Sequence, residues 1–174
     1  MTDDAIETVE KEWPLYRNCA DICGMSYFRG KKDGSHLSVA NAQDVYIDDD
    51  IHYRVNQKIK GDRCEVVRTV LLKKIPFPVY QGERFFPEGW FWTLAMNYKT
   101  VYRNKTIYIC EYLEGGLTKS GRALRMKCPL GMMDDCRMYL DNRVCIRRRV
   151  KEMLLYWVYA RCAGYSLGKT LSTS

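Results

Sequence analysis

Breakers set the limits on this chain. Its five prolines, at 14, 76, 78, 87 and 129, and the glycine-rich stretches at 30–34 and 115–116 divide it into short runs. The apolar period of those runs switches between helix and strand, which gives a mixed α/β fold. Thr2 is placed to cap a helix with Asp3 and Asp4 in its first turn, with Ile6, Val9 and Trp13 on one face and Pro14 at its end. "DICGMSYFRG" (21–30) reads as a strand, and GKKDG behind it as a turn. Residues 35–60 carry no clear period. "EVVRTVLLKKIPFP" (65–78) reads as a short strand followed by a helical turn or two from Thr69, stopped by Pro76 and Pro78.

Pro87 suits the first position of a helix over 87–98. "KTVYRNKTIYICEYLEGGLT" (99–118) reads as two strands around a polar turn. The chain turns helical from Ser120, with a break at Pro129 and Gly131. Over 143–162, Ile146, Val150, Met153, Leu154, Trp157 and Val158 fall on one stripe, with Arg147, Arg148 and Lys151 mostly on the other side. Two uses suit that stripe: a helix docked on the core, or a basic helix lying on an anionic membrane. The core reading leads, and by it Val150 and Leu154 carry stability.

Composition excludes several classes. With 47% hydrophobic and 28% charged residues the chain is globular, and 174 residues are enough for a real core. The net charge of +7 favours anionic partners without choosing among them. Eight scattered cysteines with no C-x-x-C pair, beside only two histidines, His36 and His52, argue for buried thiols in a reducing cytosol and against zinc. The longest nearly apolar run, Met153 to Ala160, is far short of the ~20 residues that span a bilayer. No helix-turn-helix, RNA-binding or zinc pattern points to nucleic acid.

Several acidic and basic residues could carry chemistry. In "GERFFPEGWFW" (82–92), Glu88 stands among aromatic residues at the second position of the expected helix. Desolvation raises its pKa while the helix dipole lowers it, so it suits a general base, or equally a first-turn helix acid. Glu83 lies before that helix, where substitution is expected to be mild. Asp48-Asp49-Asp50 reads as a solvated loop, or as oxygen ligands for a hard cation. Asp134-Asp135 is placed on an exposed helix face. Lys60, Asp62, Arg63 and Arg68 cluster around Gly61, as surface ion pairs or as a phosphate grip. "EYLEGGLTKSG" (111–121) is Gly-rich but lacks P-loop spacing.

Three stretches together resemble the family 2 glycosyltransferases of the GT-A fold: "KGDRCEVVRTVLLKKIPFP" (60–78), "GERFFPEGWFW" (82–92) and "YICEYLEGGLTKSG" (108–121). The resemblance covers roughly residues 2–121. It implies the C-terminal, acceptor-binding half of a Rossmann-like domain over 1–121, with a helical extension over 122–174. The nucleotide-binding half with its Asp-x-Asp metal motif would precede Met1, as in a truncated reading frame, so that this chain alone would be inactive. The alternative is a non-catalytic membrane- or partner-binding module using the basic helix over 143–162.

By the same resemblance the activity is inverting transfer of a sugar from a nucleotide-sugar to a glycan or lipid-linked acceptor, in surface polysaccharide assembly. Glu88 would be the base. Asp62, Arg68, Trp90 and Trp92 would contact substrate. Many relatives carry Glu-Asp where this chain has Glu88-Gly89. A divalent Mn or Mg ion would serve the complete enzyme without ligands from these residues. The expected location is cytoplasmic, with peripheral contact at the inner face of the membrane.

Overall fold

The computed structural model describes residues 1–87, 97–111 and 117–166, the side chains of 117–120 aside. They form two compact units. The sheet unit comprises the described residues of Met1–Ile75 and Leu94–Tyr112, and the helical unit those of Pro76–Thr93 and Leu113–Ser174.

The sheet unit runs α1 (Ala5–Glu12), a 3-10 turn (Trp13–Leu15), β1 (Ile22–Gly30), β2 (Val45–Asp49), a single π-helical turn (Ile51–Asn56), β3 (Arg63–Val67), α2 (Thr69–Leu72) and β4 (Lys99–Ile109). The strands form one mixed sheet in the order β2-β4-β1-β3. β1 and β4 are parallel; β3 and β2 close the two edges antiparallel. The α/β class expected from the sequence is what forms. β1 is buried along almost its whole length, as a central strand covered on both faces must be. Gly24 is required there, because a Cβ at that position would lie 2.2 Å from the carbonyl oxygen of Val66 on β3.

One face of the sheet is apolar. Ile22, Met25, Tyr27, Val101 and Ile107 pack there with Ala5 of α1, and Val9 and Trp13 join from the rim. The buried face of α1 is thus Ala5, Thr8 and Val9, and Ile6 points to solvent. Thr2 is not the cap. Its hydroxyl donates to Asp4 and its N–H to the carbonyl of Ile107 at 2.9 Å, which ties the chain start to β4.

The stretch expected as two strands around a turn is one strand of 11 residues, β4. Arg103, Asn104 and Lys105 looked like a turn because they are polar. Each has a local partner that lets the strand continue. Arg103 pairs with Glu12 at 2.9 Å and Asp44 at 3.1 Å; Asn104 donates to the carbonyls of Asn41 and Gln43; Lys105 pairs with Asp4. The unassigned 35–60 region supplies β2 and the π-helical turn.

The helical unit holds α3 (Leu117–Met126), kinked at Gly121, then α4 (Pro129–Met138) and α5 (Ile146–Cys162). Pro129 starts α4 where its missing N–H costs nothing. Met132, Met133 and Cys136 of α4 pack on Tyr159 and Ala160 of α5, with Phe85 at the margin.

The stripe expected to dock α5 faces outward instead. Ile146, Val150, Met153, Leu154 and Val158 are exposed, Trp157 of the same stripe is half-buried, and the buried arc carries Glu152, Tyr159 and Ala160. Glu152 is met there by Arg148 at 2.9 Å, and Leu155 and Tyr156 are partly buried beside Tyr159. All eight cysteines are free thiols; Cys23, Cys128 and Cys136 are buried and Cys162 is exposed. No helix among the described residues is long and apolar enough to cross a membrane.

Candidate functional site

A concavity of the sheet unit lies between the end of α1 and the end of β3. It encloses about 360 Å³ and is lined by Val9, Trp13 and Arg17 on one side and Val66 to Val70 on the other. The local sequence builds it. Pro14 turns the end of α1 into a 3-10 step, and Trp13, still helical in its backbone and one turn after Val9, packs with Val9 and Val66 against the core. Arg68 follows β3 in an extended conformation, and its N–H donates to the carbonyl of Cys23 at 2.9 Å. Its guanidinium sits 5.9 Å from the Trp13 ring centroid and donates to the carbonyl of Cys19 at 3.4 Å. Arg17 is exposed on the same side.

The lining carries two guanidiniums and no carboxylate. A ring face beside fixed Arg donors suits a ligand with an apolar face and an anionic substituent.

On the other face of the sheet a charged cluster is buried beneath the π-helical turn. Arg63, expected near the surface, is 2% exposed. It donates to the Ser26 hydroxyl and carbonyl at 2.9 Å and to the Arg103 carbonyl at 2.6 Å, with Phe28 stacked 4.5 Å away. Those contacts occupy the guanidinium, so it holds the sheet rather than a phosphate. Beside it Arg54 lies 4.0 Å from Asp50 and 3.6 Å from Glu65. Tyr102 donates to Asp50 at 3.3 Å, and Tyr53 stacks on Tyr102 at 4.0 Å. Desolvation pushes the Asp50 carboxyl up to about 6 and Glu65 up to about 7, against the opposing pull of Arg54.

The Asp48–Asp50 triplet is neither a solvated loop nor a convergent oxygen cage, because its side chains diverge. Asp48 accepts from Tyr46 and pairs closely with His52, whose pKa that carboxylate raises. Asp49 accepts the His52 N–H at 2.9 Å, capping the π-helical turn, and Asp50 points inward. Among the described residues no group of three His, Cys, Asp or Glu side chains is placed to hold a metal ion.

Arg68 lies in the groove. Asp62 lies on the exposed turn ahead of β3, at the other end of that five-residue strand and so roughly 20 Å away at 3.3 Å per residue. The structure does not bring these two together. Glu88, Trp90 and Trp92, and the expected helix at 87–98 that carries them, fall outside the described residues apart from Pro87, which precedes them without helical structure, and the 97–98 end.

Trp13 and Arg17 were not among the sequence candidates. The available signal was that Trp13 stands one turn after Val9 on the apolar face of α1. In the helical unit Glu83 has a larger role than expected. Its carboxylate accepts the N–H groups of Leu130 at 2.6 Å and Gly131 at 2.9 Å, capping α4. Asp134 and Asp135 are not on an open face either. Asp134 accepts from Tyr80 and pairs with Arg137, and burial pushes Asp135 up to about 6 with Glu152 adding to the rise.

Compared with known protein families, curated proteins and solved structures, the chain matches none of them.

Proposed function

We propose that this chain serves glycosyl transfer from a nucleotide-sugar to a hydroxyl acceptor and contributes the acceptor-binding surface. One observation carries the reading: the acid-free groove in which the Arg68 guanidinium lies 5.9 Å from the Trp13 ring centroid, with Arg17 beside it. A pyranose presents an apolar face to an aromatic ring and hydroxyls to Arg donors, and acidic glycans add the negative charge these cations favour. The family resemblance of 60–78, 82–92 and 108–121 supplies the reaction.

In this reading Glu88 takes the proton of the acceptor hydroxyl. The freed oxygen forms a bond to the anomeric carbon of the donor as the bond to the nucleoside diphosphate breaks, with inversion. A divalent Mn or Mg ion bound with the donor would supply positive charge for the leaving diphosphate, and no group of described residues in this chain is placed to hold it. Arg68 and Trp13 bind the acceptor glycan on the sheet unit. Asp62 has no share in the groove, so its role as a substrate contact rests on the resemblance, as do those of Trp90 and Trp92.

The test is transfer from UDP- and GDP-sugars to a panel of glycan acceptors with Mn²⁺, by the chain together with the nucleotide-binding half that the resemblance implies. Glu88→Gln should leave acceptor binding intact and lower transfer by about a hundred- to ten-thousandfold, in kcat and kcat/KM together. A variant rate within a few-fold of the parent removes Glu88 from the chemistry. Absence of transfer with every donor and acceptor, together with a groove that takes no glycan, sinks the reading.

A further inference from the structure

The outward face of α5 is the largest feature that the proposed chemistry does not use. Ile146, Val150, Met153, Leu154 and Val158 are all exposed, with Ile146 at 69% and Leu154 at 60%. They form a continuous stripe about 18 Å long at 1.5 Å per residue. Arg147, Lys151 and Arg161 are exposed beside it. The one acid of the helix, Glu152, is 3% exposed and turned inward onto Arg148 at 2.9 Å, with Lys151 at 3.8 Å. The exposed surface of α5 therefore offers aliphatic side chains and cations, with no carboxylate of its own.

An isolated buried helix would have hidden this stripe. A helix built only for solubility would have exposed Glu152 and turned Leu154 inward. Neither arrangement is present. Aliphatic groups flanked by Lys and Arg match a surface that is apolar beneath and anionic at its rim.

From this complementarity we infer that α5 docks, lying flat, on a bilayer carrying anionic lipid. The aliphatic stripe enters the headgroup–acyl boundary, and Arg147, Lys151 and Arg161 contact the acidic headgroups. Nucleic acid would use the cations but leave the stripe in water, so it accounts for half of the surface only. The inference stands on α5 alone and does not depend on the transferase reading.

The experiment is co-sedimentation of the whole chain with phosphatidylcholine vesicles, with and without phosphatidylglycerol. Binding is expected only with the anionic lipid and should weaken as salt is raised. Val150→Ser/Leu154→Ser should reduce vesicle partition by about tenfold or more, and Arg147→Glu/Lys151→Glu by a similar factor, at about 1 kcal/mol per cation near the surface. Circular dichroism of both variants should match the parent, because these side chains are exposed.

No binding to anionic vesicles overturns the inference. So does binding lost on charge reversal but unchanged in the Ser variant, which would mean a purely electrostatic contact. A concentration-dependent dimer in the parent that the Ser variant abolishes, without vesicle binding, would give the stripe to a second copy instead.

Discussion

Arg63 and Leu154 each occupy a place that their chemistry argues against. The guanidinium of Arg63 is inside the sheet unit; the isobutyl group of Leu154 is outside the helical unit. The two misfits are resolved in different ways. The sheet unit meets the demand of its buried cation within itself, through the Ser26 hydroxyl and carbonyl, the Arg103 carbonyl and two aromatic faces. The helical unit meets no demand at Leu154: the exposed aliphatic stripe has no partner on α5, and the buried arc is already filled by Glu152, Tyr159 and Ala160. A buried charge whose three nitrogens all donate, to Ser26, Ser38 and the Arg103 carbonyl, points to structure. An exposed apolar stripe rimmed by cations points outward, to something that covers it.

The largest effect expected from this contrast is at Arg63. Arg63→Met keeps the volume but strands the Ser26 and Arg103 carbonyls in a dry interior. The sheet unit should lose about 3 kcal/mol or more, read as a drop in denaturation midpoint, since each unsatisfied buried polar group costs about 1–3 kcal/mol. A loss below about 1 kcal/mol would mean that water reaches the cluster and that the comparison is overdrawn.

The next effect is a pH dependence. Asp50 and Glu65 have folded-state pKa values above their usual ones, because burial disfavours their charged forms. The folded chain therefore holds more protons than the unfolded chain between about pH 4 and 7, and stability falls as pH rises through that window. At about 1.4 kcal/mol per pKa unit the Glu65 contribution is on the order of 3 kcal/mol. Glu65→Gln should flatten the profile between about pH 4 and 7. A profile that rises over that range, or that Glu65→Gln leaves unchanged, contradicts the burial of this cluster.

In the helical unit, Glu83→Ala should cost about 1–2 kcal/mol through loss of the α4 cap. Glu83→Gln should recover part of it. The smallest effect is expected at the outward stripe, where Val150→Ser/Leu154→Ser should change stability by no more than about 0.5 kcal/mol. A loss of several kcal/mol there would restore the core reading of that stripe and abolish the contrast.

What the sequence made legible follows from where local chemistry decides. β1, β3 and α2 were readable because Val, Ile and aromatic runs with Pro76 and Pro78 behind them leave few alternatives. β4 was misread at Arg103-Asn104-Lys105, since polarity alone does not reveal Glu12, Asp44 and Asn41 waiting across space. α5 was found but turned the wrong way. Periodicity locates a stripe without saying which arc meets a neighbour, and here the neighbour, Met132, Met133 and Cys136, took the arc with Ala160. Arg68 was a candidate and lies in the groove. Its partner Trp13 was read as part of a helix face and does share that face with Val9; the sequence does not reveal that Arg68 arrives beside it from the end of β3.

The groove remains the feature on which the functional account depends. Its most direct test is calorimetric titration of the whole chain with uronic-acid-containing oligosaccharides, set against neutral ones of the same length. Saturable binding should favour the acidic series. Arg68→Gln and Trp13→Leu, which keep much of the bulk of each side chain, should each weaken it by about tenfold, the worth of roughly one charge-assisted hydrogen bond or one ring contact. No heat with any oligosaccharide, or affinity that neither substitution changes, would contradict the assignment of this groove to an acceptor glycan.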